Sequence, residues 1–224
     1  MSKRFDVIET RESLLADNDS NAFLVRDFLR AKGVFLVNLM ACPGAGKTTL
    51  LLRTIEKLKQ QYRIGVIEAD VDGDIDAETI SETGVKTIQV HTGGSCHMNA
   101  EMTMKALKNL NVDDLDLVFL ENIGNLVCPA EFDTGAAINM TILSVPEGDD
   151  KPAKYPLMYE TCDILVVNKI DTLPIFDFDK GRMERYARKR NPEIDIFYIS
   201  AKTGEGVSEL ADVLVRKVKE WNAK

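Results

Sequence analysis

Apolar residues recur along this chain in two rhythms. From Glu12 to Arg30 they fall at Leu14, Leu15, Phe23, Leu24, Phe28 and Leu29, a helical spacing that stops before Gly33 and predicts a lead-in helix with a break near Asp17–Asn21. Short apolar runs follow: Val34–Met40, Ile64–Glu68, Lys86–Val90, Leu115–Glu121, Ala136–Val145, Ile164–Asn168 and Ile194–Ile199 read as strands. Between most of them lie stretches of helical pattern, Thr48–Gln60, Asp76–Glu82, His97–Leu110, Asp179–Arg190 and Val207–Trp221. This alternation predicts an α/β fold, a mostly parallel sheet with helices on both faces. Residues 1–32 are expected to pack as a helical lead-in on a single domain spanning 33–224. Pro146–Pro156, with its charges and three prolines, is predicted to be a loop.

Composition narrows the function classes. At 224 residues, 45% hydrophobic and 29% charged, the chain is an ordinary globular protein. Its 28 Lys and Arg against 36 Asp and Glu give a net charge of −8, which repels phosphate backbones and argues against nucleic acid as a partner. An anionic ligand therefore needs a local basic or amide-lined site. No run approaches the ~18 apolar residues of a membrane span, and MSKRFDVIETRESLL lacks the apolar core of a signal peptide, so a cytoplasmic protein without a membrane partner is expected. In that compartment Cys42, Cys96, Cys128 and Cys162 stay reduced, leaving metal ligation or burial as their roles.

One local site of this kind follows the first strand. Ala41-Cys-Pro-Gly-Ala-Gly-Lys-Thr48 runs directly into a helical pattern, the context of a P-loop NTPase domain, with Ala41 where the general pattern has Gly. Gly44, Ala45, Gly46, Lys47, Thr48 and Thr49 are the candidate phosphate-binding residues. Backbone N–H groups and the helix N-terminus form the cradle, Lys47 adds an ammonium, and the Thr48 hydroxyl can hold Mg²⁺.

Two further segments sit at strand C-terminal ends, where doubly wound sheets bind ligands. These are Asn168-Lys169-Ile170-Asp171 and Ser200-Ala201-Lys202, and they resemble the guanine-recognition elements of GTPases. The Asp171 carboxylate can accept two hydrogen bonds from the N–H edge of guanine, whereas adenine would leave acceptor facing acceptor. Asn168 would brace the loops and the Lys169 stem would cover the base; by that resemblance, the Ala201 amide would meet the guanine carbonyl. Carboxylates for Mg²⁺ and the attacking water come from Asp70-Val-Asp-Gly-Asp-Ile-Asp76 and from Glu121-Asn-Ile-Gly124. The first of these is not a calcium loop, because its sixth residue is Ile75 and its twelfth Ser81. Thr48, Asp70, Asp76 and Glu121 are the magnesium candidates, and Lys47, Asp70, Asp76 and Glu121 the catalytic ones.

Cys96-His97 follows the third strand, and Cys128-Pro129 lies seven residues beyond Glu121 in the segment expected to sense the γ-phosphate. Both leave the same sheet edge as the nucleotide loops and can converge, while His91 is expected to be structural. Taken together, NLMACPGAGKTTLL, IEADVDGDIDAETI, HTGGSCHMNA, ENIGNLVCPAEFD, SVPEGDDKPAKYP and NKID resemble the HypB family of hydrogenase nickel-incorporation GTPases, from about Asn18 onward. That resemblance implies a GTP-dependent metallochaperone with GTP, Mg²⁺ and Ni²⁺ or Zn²⁺ as ligands. It implies a GTP-dependent homodimer, a small zinc-containing HypA-like partner, and delivery of nickel to the large subunit of [NiFe]-hydrogenase. Cys96, His97 and Cys128 become the metal ligands between the domains, Asp76 a Mg²⁺ residue, and Lys154 a lysine reaching the neighbouring subunit's nucleotide.

The sequence shows no Cys-x-x-Cys-Gly-Cys motif and no histidine-rich tract, so nickel is expected at the GTPase-domain cluster alone. Turnover is expected to be slow, on the order of 10⁻⁴–10⁻³ s⁻¹, because no arginine finger or Gln follows the Glu121 motif. Three other readings compete. A urease-type nickel GTPase would carry Cys-Pro-His where this chain has Cys128-Pro129-Ala130, a non-enzymatic nickel or zinc protein would retain the P-loop as a relic, and a kinase would need an acceptor site.

Overall fold

The structure, a computed structural model, describes residues 10–71 and 73–223, with side chains from residue 15 onward. Residues 1–9 of the predicted lead-in, the Leu14 side chain and Asp72 lie outside the described residues. The elements run α1 (Thr10–Lys32), β1 (Phe35–Ala41), α2 (Lys47–Leu58), β2 (Ile64–Asp70), α3 (Ile75–Ser81), β3 (Lys86–His91), α4 (Ala100–Leu110), β4 (Leu117–Glu121) and α5 (Cys128–Glu131). They continue through β5 (Ile138–Ser144), α6 (Lys151–Lys154), α7 (Pro156–Glu160), β6 (Ile164–Asn168), α8 (Lys180–Arg190), β7 (Asp195–Tyr198) and α9 (Val207–Asn222).

The strands form one seven-stranded sheet in the order β3-β2-β4-β1-β5-β6-β7, and every adjacent pair is parallel. A strand's side chains alternate between faces, and both faces of this sheet are covered. On β1, Phe35, Val37, Leu39 and Ala41 enter a core shared with Leu51 and Ile55 of α2 and Leu210 and Leu214 of α9. Leu36 points the other way, with Val34 just before the strand, into a core with Val25 and Leu29 of α1 and Leu107 and Leu110 of α4. Asn38 is a polar member of that second row, 1% exposed. A third core under α7 and α8 contains Met158, Tyr159 and Met183.

Three boundaries differ from the expected ones. Helix α1 runs unbroken through Asp17–Asn21. Asn18 does not end it, because its side chain is used in tertiary contacts: Nδ2 donates to the Asp133 carbonyl at 2.9 Å, and Oδ1 accepts from the Ala100 N–H at 3.0 Å. Helix α4 starts at Ala100 rather than His97, because the Asn99 side chain accepts from the Met102 N–H at 2.9 Å and caps it, leaving Cys96 and His97 in a loop. The Pro146–Pro156 segment is not an open loop but a 3₁₀ turn at Val145–Glu147, then α6 and the start of α7. Its prolines occupy first-turn helical positions, where a missing N–H costs nothing.

Helix α1 is docked on the domain by more than apolar packing. Arg26 donates to both Asp133 carboxylate oxygens at 2.7 Å and to the Ala136 carbonyl at 3.1 Å. Between these acceptors lies Gly135, at φ +77°, where a Cβ would come within 2.8 Å of the Ala22 carbonyl oxygen and closer still to Val25 Cβ. Gly135→Ala combines a left-handed backbone penalty with overpacking against α1 and should destabilise the protein by about 2–4 kcal/mol in urea unfolding. An unchanged midpoint would show that α1 does not hold this face.

Candidate functional site

The loops at the C-terminal ends of β1, β4, β6 and β7 meet above the middle of the sheet. In the P-loop, Gly44 and Gly46 hold φ of 76° and 97°, and the Ala45 N–H donates to the Cys42 carbonyl at 3.3 Å before α2 begins at Lys47. A Cβ on Gly46 would lie 2.6 Å from Asn168 Nδ2, so this glycine is required by the close approach of the β6 loop. Gly124 has the same role towards β4, since a Cβ there would meet Pro43 at 3.0–3.2 Å. Both neighbouring loops thus lie against the phosphate cradle. Burial pushes the Cys42 thiol up to about 11 where it packs, half-buried, against the third core, and Cys162, fully buried within that core, is also raised by burial.

Asn168 organises the base-binding end. Its Nδ2 donates to the Ala45 carbonyl at 2.9 Å, and its Oδ1 accepts from the Lys169 and Ala201 N–H groups at 2.7 and 3.1 Å. The sequence places the Ala201 amide on a guanine carbonyl; here that N–H is already used by Asn168. Lys169, at φ +62°, lays its stem over the P-loop and donates from Nζ to the Gly44 carbonyl at 2.7 Å. Ser200 Oγ donates to Asp171 Oδ1 at 2.7 Å, orienting an exposed carboxylate. Arg53 of α2 donates to the carbonyls of Ala201 and Lys202 at 3.1 and 3.4 Å and pins the β7 loop to the P-loop helix.

The carboxylates gather on the other side of Lys47. Glu121 Oε1 accepts from the Thr48 hydroxyl at 2.8 Å, while its Oε2 is buried with no hydrogen-bond partner. Burial pushes the Glu121 pKa up to about 7, with Lys47 and the Thr48 bond pulling against it. Glu68, on the same face of the neighbouring strand, is likewise pushed up to about 7 by burial. One oxygen each of Glu68, Asp76 and Glu121 lies within 4.8 Å of the others. Glu68 was not among the sequence candidates, although a charged residue inside the apolar run Ile64–Ala69 is the signal that marks it. Asp70 stands at the mouth of β2 with its Oδ1 accepting from the Gly73 N–H at 3.0 Å, and it is not one of the three converging carboxylates.

The thiols and the imidazole come together from two loops. Cys96 Sγ, a His97 ring nitrogen and Cys128 Sγ all lie within 4.8 Å of one another, with Cys96 Sγ 3.8 Å from His97 Nδ1. A hydrogen bond with Cys128 raises the Cys96 pKa, and burial lowers that of His97. The imidazole stacks on Phe132, centroids 3.9 Å apart and planes at 18°, so the segment carrying Cys128 also supports the histidine. His91 lies apart, its Nε2 3.3 Å from Asp74 Oδ1. Lys154 is exposed on α6 and paired with Asp150 at 2.6 Å. Among the described residues no helix is long and apolar enough to cross a membrane.

Comparison with known proteins identifies the family of this chain. The CobW/HypB/UreG nucleotide-binding domain matches residues 35–198. The hydrogenase maturation factor HypB of Azotobacter vinelandii is 46% identical over 205 residues, which span 91% of this chain and 67% of that protein. Among solved structures, HypB from Helicobacter pylori in complex with nickel superposes with a TM-score of 0.85 at 35% identity, covering 91% of this chain and 96% of that one. HypB from Archaeoglobus fulgidus gives 0.84 at 36% identity, covering 91% and 99%. The P-loop followed by its carboxylates, the guanine-type loops and the thiol–imidazole cluster thus occur in a chain that belongs to the CobW/HypB/UreG nucleotide-binding family and, within it, to the HypB hydrogenase maturation factors.

Proposed function

We propose that this protein is a slow GTPase that carries nickel to the large subunit of [NiFe]-hydrogenase, with GTP favouring a homodimer and its hydrolysis altering the grip on the metal. The observation that carries this reading is the placement of Cys128. It sits seven residues after Glu121, whose carboxylate is hydrogen-bonded to the P-loop Thr48, and its sulfur meets Cys96 and His97. One segment therefore touches both the nucleotide pocket and the metal ligands.

Phosphates would be bound by the amides of residues 44–49 and by Lys47. The guanine edge would be read by Asp171, with Asn168, Ser200, Ala201 and Lys202 shaping its loop and Lys169 covering the base. Mg²⁺ would be held by Thr48 and by the Glu68, Asp76 and Glu121 carboxylates, with Asp70 at the rim, and supplies charge neutralisation for the phosphates. The orphaned Glu121 Oε2 in a cluster of three carboxylates fits that cation. Glu121 is the group placed to orient water, its carboxylate already fixed by Thr48. Two thiolates and an imidazole suit Ni²⁺ or Zn²⁺ but do not complete a coordination sphere, which favours closure by the two-fold mate. Lys154, on the solvent side of α6, is free to leave Asp150 for that mate. A HypA-like partner and a cytoplasmic setting complete the reading.

Cys128→Ala should weaken Ni²⁺ binding about 100-fold or more in a calorimetric titration and leave GDP affinity intact. Normal nickel binding by that variant would remove Cys128 from the site. Asp171→Asn exchanges an acceptor for a donor facing the guanine N–H edge; GTP affinity should fall roughly 100-fold or more and xanthosine triphosphate should become the better ligand. Unchanged preference would place base recognition elsewhere.

The buried carboxylates also set a pH dependence. Glu121, raised from about 4.5 to about 7, holds its proton more tightly when the chain is folded. Its contribution is thus present below pH 4.5 and is lost as pH rises through 7. Glu121→Gln, which cannot ionise, should raise the melting temperature of the nucleotide-free protein at pH 8 by several degrees and by much less at pH 5. Equal shifts at both pH values would contradict a raised Glu121.

A further inference from the structure

Glu121 ends β4 and Asn122 follows it, and their side chains point to opposite faces of the sheet. Glu121 turns towards α2 and the P-loop hydroxyl. Asn122 turns towards the α1 and α4 side, fully buried at 0% exposure, and its amide bonds to the Cys96–His97 loop, to strand β1 and to the start of its own loop. Its Oδ1 accepts from the Met98 N–H at 3.1 Å, the residue after His97, and from the Ile123 N–H at 2.9 Å, the start of the segment leading to Cys128. Its Nδ2 donates to Asn38 Oδ1 at 3.1 Å on β1, the strand that ends in the P-loop. Asn38 in turn donates to Asn139 Oδ1 at 3.0 Å across the β1–β5 pairing. Two buried amides bonded in series in an apolar row fix each other's orientation, since a flip of either would set donor against donor.

We infer that Asn122 is a positioning residue whose single carbonyl oxygen clamps the Cys96–His97 loop to the Cys128 loop and so passes movement at Glu121 on to the metal cluster. This inference rests on the proposed metal reading for its functional sense, but the clamp itself is a property of the metal-free chain. When Glu121 moves in response to a nucleotide, the adjoining Asn122 must move with it. Among the described residues Met98 and Ile123 both donate to this one oxygen, so its displacement would shift His97 and Cys128 together. The stacking of His97 on Phe132 gives the same two loops a second contact.

The test uses full-length protein and two independent readouts. Asn122→Leu should lower Ni²⁺ affinity about 10–100-fold, the range for loss of an outer-shell partner, and weaken the thiolate-to-nickel charge-transfer band, with GDP affinity within about 3-fold of wild type. In the metal-free protein, phenylarsine oxide, which bridges two adjacent thiols with release of water, should capture Cys96 and Cys128 as a pair in wild type and much more slowly in Asn122→Leu. Should that variant fail to bind GDP, Asn38→Ala keeps Asn122 but frees its amide to rotate, and it should show the same losses several-fold smaller. A GDP-binding variant that captures the arsenical and binds nickel like wild type overturns the inference. Slowed capture together with no nickel binding by wild type would uphold the clamp and overturn the metal reading instead.

Discussion

The parallel pairing of β1 with β4 is the constraint on which the rest of this molecule depends. The register that sets Leu39 against Glu121 brings the strand entering the P-loop beside the strand that ends in the carboxylate, so the Thr48 hydroxyl and Glu121 meet at 2.8 Å. Because β1 lies between β4 and β5, the crevice above its C-terminal end is the place where a doubly wound sheet binds ligands. Gly124 against Pro43 and Gly46 against Asn168 show how tightly the adjacent loops close on the cradle.

The two ends of the site are built differently. At the base-binding end, Asn168, Lys169, Ser200 and Arg53 hold the loops to one another through direct hydrogen bonds. At the phosphate end, two carboxylates are buried close together with one oxygen lacking a partner, an arrangement that costs free energy. Cys96, His97 and Cys128 sit on loops joined by an amide and a ring stack rather than by a shared strand.

Much of this was legible in the residues. Strand Ile164–Asn168 has the boundaries read from its apolar run, and helices α2, α8 and α9 begin within a residue of their predicted starts, because an apolar stripe and a capping residue or glycine are local signals. The unbroken α1 was not legible, since it depends on Asn18 finding partners 82 and 115 residues away, whereas the start of α4 was marked locally by the Asn99 cap three residues before Met102, a signal the helical pattern read from His97 passed over. Glu68, Phe132 and Asn122 were missed for a related reason. Each belongs to a run whose pattern reads as ordinary strand or loop, and its importance comes from which face it takes and what the neighbouring strand places opposite. Cys96, His97 and Cys128, by contrast, are rare residues whose chemistry shows without a fold, and the sheet brings them within 4.8 Å.

In the function proposed, nucleotide state and metal affinity are coupled through the segment from Glu121 to Cys128. The most direct measurement is a Ni²⁺ titration of one preparation saturated first with GDP and then with a non-hydrolysable GTP analogue, with molar mass determined in each state. Coupling of ~1–3 kcal/mol should make the two affinities differ roughly 5–150-fold, together with a heavier species in the GTP-like state. Equal affinities and equal masses in the two states would contradict it.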